Sequence, residues 1–255
     1  MEPELSSGQP VLSKRLQAPK LPADPSSFDF PTGMDAIPPS RKSLISEPRV
    51  FVSVSTECFA ELPLEEAIQK LADLEYASIE IAVHEHQDQL KPSEVASNLS
   101  GAIARCGAKR RLNLVSYGLD IRADGEAYFE QFDACCQLAK ATRIVALTVP
   151  SSPLGTPFNE EVERFKRMVK MADSHGVRVG MRSQHGCLSE DPDTVSVICD
   201  HVKGLALSFD PSQSLFRQNQ PRDTERLMKY VHQVYLRDSS KDKLQVRVGQ
   251  GVIEY

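Results

Sequence analysis

A chain of 255 residues and 28.3 kDa is long enough to bury a full core as one large domain. Its formal charge of −5 and isoelectric point near 5.7 argue against a general nucleic-acid surface, which is normally basic. No apolar run approaches the ~20 residues that span a bilayer, and the opening MEPELSSGQPVLSKRLQ lacks the apolar stretch of a signal peptide. Six cysteines without a CxxC or metal-ligand spacing read as reduced thiols in a cytoplasmic protein.

Nine of the seventeen prolines fall in residues 1–48, among Ser, Asp and Lys. That composition buries too little apolar surface to offset the entropy of ordering, so 1–48 is expected to be a disordered tail. A proline-rich docking segment is the alternative, without a clean PxxP array to support it. From Val50 the pattern changes, and 49–255 reads as one domain. Strand-like runs occur at 50–55, 77–83, 112–118, 143–149, 177–182, 205–209 and 231–236. Helical spacing lies between them. It appears at Leu64, Ala67, Ile68, Leu71 and Ala72 behind Pro63, and again at Phe129, Phe132, Cys136 and Ala139. Val162, Phe165, Val169 and Ala172 form a third such face, closed by Gly176, and Asp193 reads as a helix N-cap.

Strand and helix alternating at roughly thirty residues argue for a parallel sheet covered by helices. Seven units fit an α/β, TIM-type (β/α) barrel better than a doubly wound sheet. "STECFAEL" stands after the first strand, where a dinucleotide fold would carry GxGxxG. An eighth unit is not visible before Tyr255. In such barrels the site is built at the carboxyl ends of the strands. Those ends offer Glu80, His84, Glu85 and His86; Ser116, Tyr117 and Asp120; Arg182, Ser183, Gln184 and His185; Asp210 and Gln213; and Tyr235, Arg237 and Asp238. Each of these alone is equally well a solvated loop residue or a cap. Asp210 stands apart, because it directly follows LALSF and precedes a proline that cannot extend a ladder. His84 and His86, two apart, do not share a face on a helix, and a metal needs three or four converging ligands, so HEHQD is read as solvated loop histidines rather than a metal cluster.

Three stretches carry a resemblance. "FVSVSTECFAELPLEEAIQKLADLEYASIEI", "LALSFDPSQ" and "HQVYLRDSSKDKLQVRVGQGVIEY" resemble the xylose-isomerase-like barrel family. That family includes sugar epimerases, hydroxypyruvate isomerase and an apurinic endonuclease branch. The chain is most similar to its sugar phosphate isomerase/epimerase group. The resemblance implies a divalent metal (Mn, Mg, Zn or Co) held by a fifth-strand Glu, a sixth-strand Asp, a seventh-strand His and an eighth-strand Glu. Here Arg182 stands at the first position, Asp210 matches the second, Tyr235 replaces the third, and the fourth falls beyond residue 255. Gln213 replaces a His that often follows the Asp by three, and Gln233 replaces another seventh-strand His.

An arginine has donors but no lone pair, so no bound metal is expected. Asp210 is expected instead to pair with Arg182, a fixed cation in the metal's place. Arg182, Arg237 and Lys241 or Arg247 suit a small anionic carbohydrate. Glu80, Arg182 and Asp210 are the catalytic candidates, and Gln213, Tyr235, Arg237 and Asp238 the substrate-binding ones, with Glu80 or Asp238 as base. Two main readings stay open: an isomerase or epimerase with a degenerate metal site, or a barrel that binds a carbohydrate-like anion or a protein partner without catalysis. An apurinic endonuclease needs a histidine-rich metal cluster and a basic face, and neither is present. A barrel lacking its last unit leaves strands one and seven as open edges, so lowered stability and self-association through that edge are expected.

Overall fold

Residues 51–107, 112–216 and 223–254 are described by the structure, a computed structural model. The tail expected at 1–48 lies outside them. Seven parallel strands follow one another in chain order across a single sheet: β1 (Val54–Ser55), β2 (Ser78–His84), β3 (Asn113–Asp120), β4 (Ala146–Pro150), β5 (Arg178–Arg182), β6 (Ala206–Phe209) and β7 (Val231–Val234). The helices are α1 (Leu64–Asp73), α2 (Pro92–Ser97), α3 (Leu99–Gly107), α4 (Gly125–Thr142), α5 (Phe158–His175), α6 (Pro192–His201) and α7 (Pro211–Leu215). The order is that of a TIM-type barrel. Each of the seven expected strand segments contains a strand. The pair α2 and α3, between β2 and β3, was not anticipated.

Burial on both strand faces explains the sequence pattern. On β2 every residue is buried: Ile79, Ile81 and Val83 enter the apolar core with Leu64, Leu71, Phe132 and Phe165 of the helices. Glu80, Ala82 and His84 alternate with them and face the barrel interior. The same alternation puts Leu147 and Val149 of β4, and Val179 and Met181 of β5, in the outer core. At the interior Gly180 allows a close approach: a Cβ there would lie 2.2 Å from the His232 ring and 2.5 Å from Ser208 Oγ.

Two local features fix the helices to the sheet. The carboxylate of Glu161, which is fully buried, accepts from the Ser152 N–H (2.8 Å), Ser152 Oγ (2.6 Å) and both Nε and Nη2 of Arg164 (2.7 and 2.8 Å), pinning the loop after β4 to α5. Gly176 ends α5 at φ 73°, the left-handed conformation expected of it. The N-cap of α6 is Asp191 rather than Asp193, its side chain accepting from the Thr194 N–H at 2.9 Å. Pro192, suited to a first helical position, shifts the helix start two residues upstream.

Gly180→Ala is expected to lower stability by about 1–3 kcal/mol through overpacking against His232 and Ser208. Denaturant unfolding that shows no loss would contradict this close approach.

Candidate site at the carboxyl ends of the strands

Glu80 is the hub of the interior. It is 4% exposed and accepts from Ser116 Oγ of β3 at 2.8 Å, Gln233 Nε2 of β7 at 3.0 Å and the Tyr235 hydroxyl at 3.0 and 3.2 Å. Gln233 Oε1 in turn accepts from Thr148 Oγ1 of β4 at 3.5 Å, and Thr148 shares a 2.8 Å bond with Ser208 of β6. Burial, reinforced by the Glu80 charge, pushes the Tyr235 phenol well above its ordinary range, so it stays protonated and donates. Tyr235, just past β7, is thus a phenol turned onto a carboxylate.

Nearer the mouth, Glu57 projects from the 3-10 turn after β1 and pairs with Arg237, beyond β7, at 2.8 Å. This ion pair links the two outer strands of the sheet. Burial would raise the Glu57 carboxyl, but Arg237, His84 and Arg182 together hold it below its usual range.

Arg182 faces inward, sharing the Gly180 side of β5. It does not form the expected pair with Asp210: its hydrogen bond runs from Nη2 to the neutral Gln184 Oε1 at 3.1 Å. Asp210, 1% exposed, caps α7. Its Oδ1 accepts from the Ser212 N–H at 3.0 Å and Ser212 Oγ at 2.6 Å. A serine two residues away reaches the carboxylate with little ordering cost, so the local cap outcompetes the cross-strand pair. Burial raises the Asp210 carboxyl despite these bonds and the attraction of Arg237. Gln213 also accepts from the His185 N–H at 2.8 Å, tying the loop after β5 to α7.

Asp238 is buried and its carboxylate is taken up by a loop. It accepts backbone N–H bonds from Ser239 (2.9 Å), Gly249 (2.9 Å), Gly251 (2.8 Å) and Ile253 (3.2 Å). Burial alone would raise this carboxyl; the four amides hold it below its ordinary range. The two glycines of "GQG" now have physical reasons. Gly249 sits at φ 86°, and a Cβ on Gly251 would lie 2.0 Å from Asp238 Oδ1. Lys241 and Arg247 lie exposed on the same loop.

His84 departs from the solvated loop residue expected. It is the last residue of β2 and 2% exposed, with its ring stacked on that of His86 (centroids 5.4 Å apart, 23° between planes). Counting in twos from Glu80 puts it on the interior face, the signal that was available. Nδ1 is buried without a hydrogen-bond partner. Burial lowers the ring to about 4, Arg182 adding to this and Glu57 opposing it, so the imidazole is neutral at pH 7. His86 is largely exposed and bonds Asp120 at 3.0 Å, while Arg122 pairs with the same carboxylate at 2.8 Å.

Among the described residues no group of three or more His, Cys, Asp or Glu is placed to hold a metal ion. The residues that the resemblance sets at metal positions do not fit one. Arg182 offers no lone pair, Tyr235 is turned onto Glu80, and Asp210 is committed to Ser212.

A family model described as xylose isomerase-like TIM barrel matches residues 68–255. The chain belongs to that family. No curated protein matches it. Among solved structures it is similar to a D-tagatose 3-epimerase-like protein (TM-score 0.61, 15% identity, 79% of this chain and 81% of that one covered). It is also similar to the probable 3-DHS dehydratase of petrobactin synthesis from Bacillus anthracis (0.59, 14%, 81% and 86%). A third is a xylose isomerase-like TIM barrel protein from Mycobacterium smegmatis in complex with magnesium (0.58, 12%, 74% and 75%). At these identities the likeness is one of fold. No helix among the described residues is long and apolar enough to cross a membrane.

The raised Asp210 pKa carries a sign. A carboxyl that binds its proton more tightly when folded costs stability as pH rises between its unfolded and folded values, and the cost persists above them. Asparagine keeps the cap acceptor and removes the charge. Asp210→Asn is therefore expected to melt at or above the parent temperature at pH 7, whereas Asp210→Ala loses the cap and about 1 kcal/mol. Equal losses in both variants, by thermal unfolding, would refute the charge cost.

Proposed function

We propose that this chain is an isomerase/epimerase-like barrel that binds a small anionic carbohydrate at the carboxyl ends of its strands, without the family's divalent metal. Arg182 carries this reading. It is half-buried, faces the interior, and makes no ion pair among the described residues, its hydrogen bond going to a neutral amide. A guanidinium left uncompensated at the mouth of a barrel is a receptor for an anion. It stands at a metal-ligand position of the family, where a fixed cation suits an anionic ligand and repels a metal ion.

Recognition is favoured over catalysis by the state of the carboxylates. Glu80 holds three side-chain donors, Asp210 caps a helix, and Asp238 binds four amides. A general base needs a free lone pair within reach of the proton it takes. The second reading, proton transfer next to a carbonyl, is favoured by Glu57. Its pair with Arg237 is partly solvent-exposed, with 32% and 23% of the two side chains accessible, and a ligand entering the mouth can separate it. The freed carboxylate would act as base while Arg182 stabilises an enolate oxygen, more weakly than a metal would.

Calorimetric titration of chelator-treated protein tests both readings. Sugar acids and sugar phosphates are expected to bind where neutral sugars do not, with no dependence on added Mn²⁺, Mg²⁺, Zn²⁺ or Co²⁺, and Arg182→Gln is expected to weaken binding at least tenfold. Tight one-to-one metal binding by the parent chain would return it to the metal-dependent members. Solvent deuterium appearing at the carbon beside the ligand's carbonyl would establish the proton-transfer reading, and its absence with binding intact would leave recognition alone.

A further inference from the structure

The identity of the anion follows from the charges and open hydrogen-bonding groups around Arg182, granted the anion-binding reading above. We propose that the ligand's charged group is a single carboxylate on a polyhydroxylated molecule, seated on Arg182, with His84 bonding a neighbouring hydroxyl and so setting specificity.

Three observations support this. First, among the described residues Arg182 makes no pair with a carboxylate, unlike the other arginines on or next to the carboxyl ends of the strands. Arg237 is paired with Glu57 and Arg122 with Asp120. Of its guanidinium donors only Nη2 is used, leaving Nε and Nη1 without a partner among the described residues. A planar fork with open donors matches a planar carboxylate.

Second, the surroundings are unfavourable to a dianion. Glu57, Asp120 and Asp210 lie at the strand ends that form the mouth, and Glu80 lies deeper on β2. Against them stand Arg122, Arg182 and Arg237, two of which are already paired, while Lys241 and Arg247 lie solvent-exposed on the loop after β7. His84 adds no charge, since burial holds its ring neutral at pH 7. A phosphate of nearly two charges normally recruits several donors of positive charge, and like-charge contact in a partly desolvated site is costly. One free guanidinium balances one carboxylate.

Third, His84 is a polar side chain 2% exposed with a buried, unpartnered Nδ1. Leaving such a group unsatisfied costs the desolvation of the atom, and a native structure keeps it where a ligand or water completes it. His84 ends β2 beside Asp120 at the end of β3, and Arg182 ends β5, so both stand at the carboxyl ends of the strands that form the mouth. A neutral imidazole both donates and accepts, which suits a hydroxyl. His84 is thus fitted to read the polyol part of a ligand whose charge Arg182 has anchored.

Two matched pairs test this by calorimetry at fixed ionic strength: D-glucuronate against D-glucose 6-phosphate, and D-glycerate against glycerol 3-phosphate. The carboxylate of each pair is expected to bind at least tenfold more tightly. His84→Phe, which keeps the ring volume and removes its nitrogens, is expected to weaken glucuronate about tenfold while leaving acetate, which has no hydroxyl, unchanged. His84→Gln should recover part of the loss. Preference for the phosphate in either pair, or a His84→Phe variant with undiminished glucuronate affinity, overturns the inference while leaving anion binding intact. Failure of all four ligands to bind overturns this inference and the functional reading together. Circular dichroism and melting of each variant identify any that fail to fold, and in that case His84→Leu serves in place of His84→Phe with the same expected loss.

Discussion

The carboxylate of Glu80 joins parts of the barrel that the sheet itself does not join. Strands β1 and β7 each have a single strand neighbour among the described residues, so no ladder of backbone bonds closes the ring. Tyr235 and Gln233, on and just past the last strand, both donate to Glu80 on the second. The sequence separations of 153 and 155 residues show what these bonds achieve, since they hold opposite ends of the domain together across its interior. A buried carboxylate is costly unless its lone pairs are taken up, and here three side-chain donors take them up. Loss of the acceptor would leave Ser116, Gln233 and Tyr235 short of a partner, so the network stands or falls as a unit.

Other polar contacts extend the same arrangement outward. The Glu57–Arg237 pair spans the loops after the first and last strands. Asp238, beside Arg237, gathers four amides of the loop that follows. This explains why an aspartate and a Gly-x-Gly eleven to thirteen residues later recur in one stretch of sequence. One glycine supplies a left-handed backbone and the other lets its amide come close enough to bond. Asp238 therefore shapes the loop beside the mouth, its carboxylate being taken up by backbone amides.

Strand alternation and helical spacing made the barrel legible, because periods of 2 and 3.6 report directly which face is buried. The strand-end residues were also legible as a set, and Glu80 and Tyr235 do meet. What periodicity cannot report is which of several possible partners wins. Asp210 and Arg182 were each placed correctly at strand ends, yet Asp210 takes Ser212 because a cap two residues away needs less ordering than a bond across strands. The Asp191–Asp193 ambiguity was of the same local kind, settled by where Pro192 starts the helix. His84 was misjudged because HEHQD was read as a pair of histidines. Read as the seventh residue of a strand beginning at Ser78, it falls on the inner face with Glu80.

Replacing a metal ligand by arginine changes more than affinity for the metal. A divalent cation takes lone pairs from several directions and can polarise a carbonyl oxygen strongly enough to acidify its neighbour. A guanidinium spreads one charge over a plane and binds through a fork, so it orients a ligand well and polarises it weakly. The surrounding residues are consistent with that exchange. In the metal-free reading Arg182 would supply the positive charge, while Tyr235 serves the interior through Glu80 and Asp210 caps a helix. Arg182 keeps open donors beside its bond to Gln184, and His84 keeps a buried Nδ1 without a partner among the described residues. On that reading these are two groups that a ligand would engage.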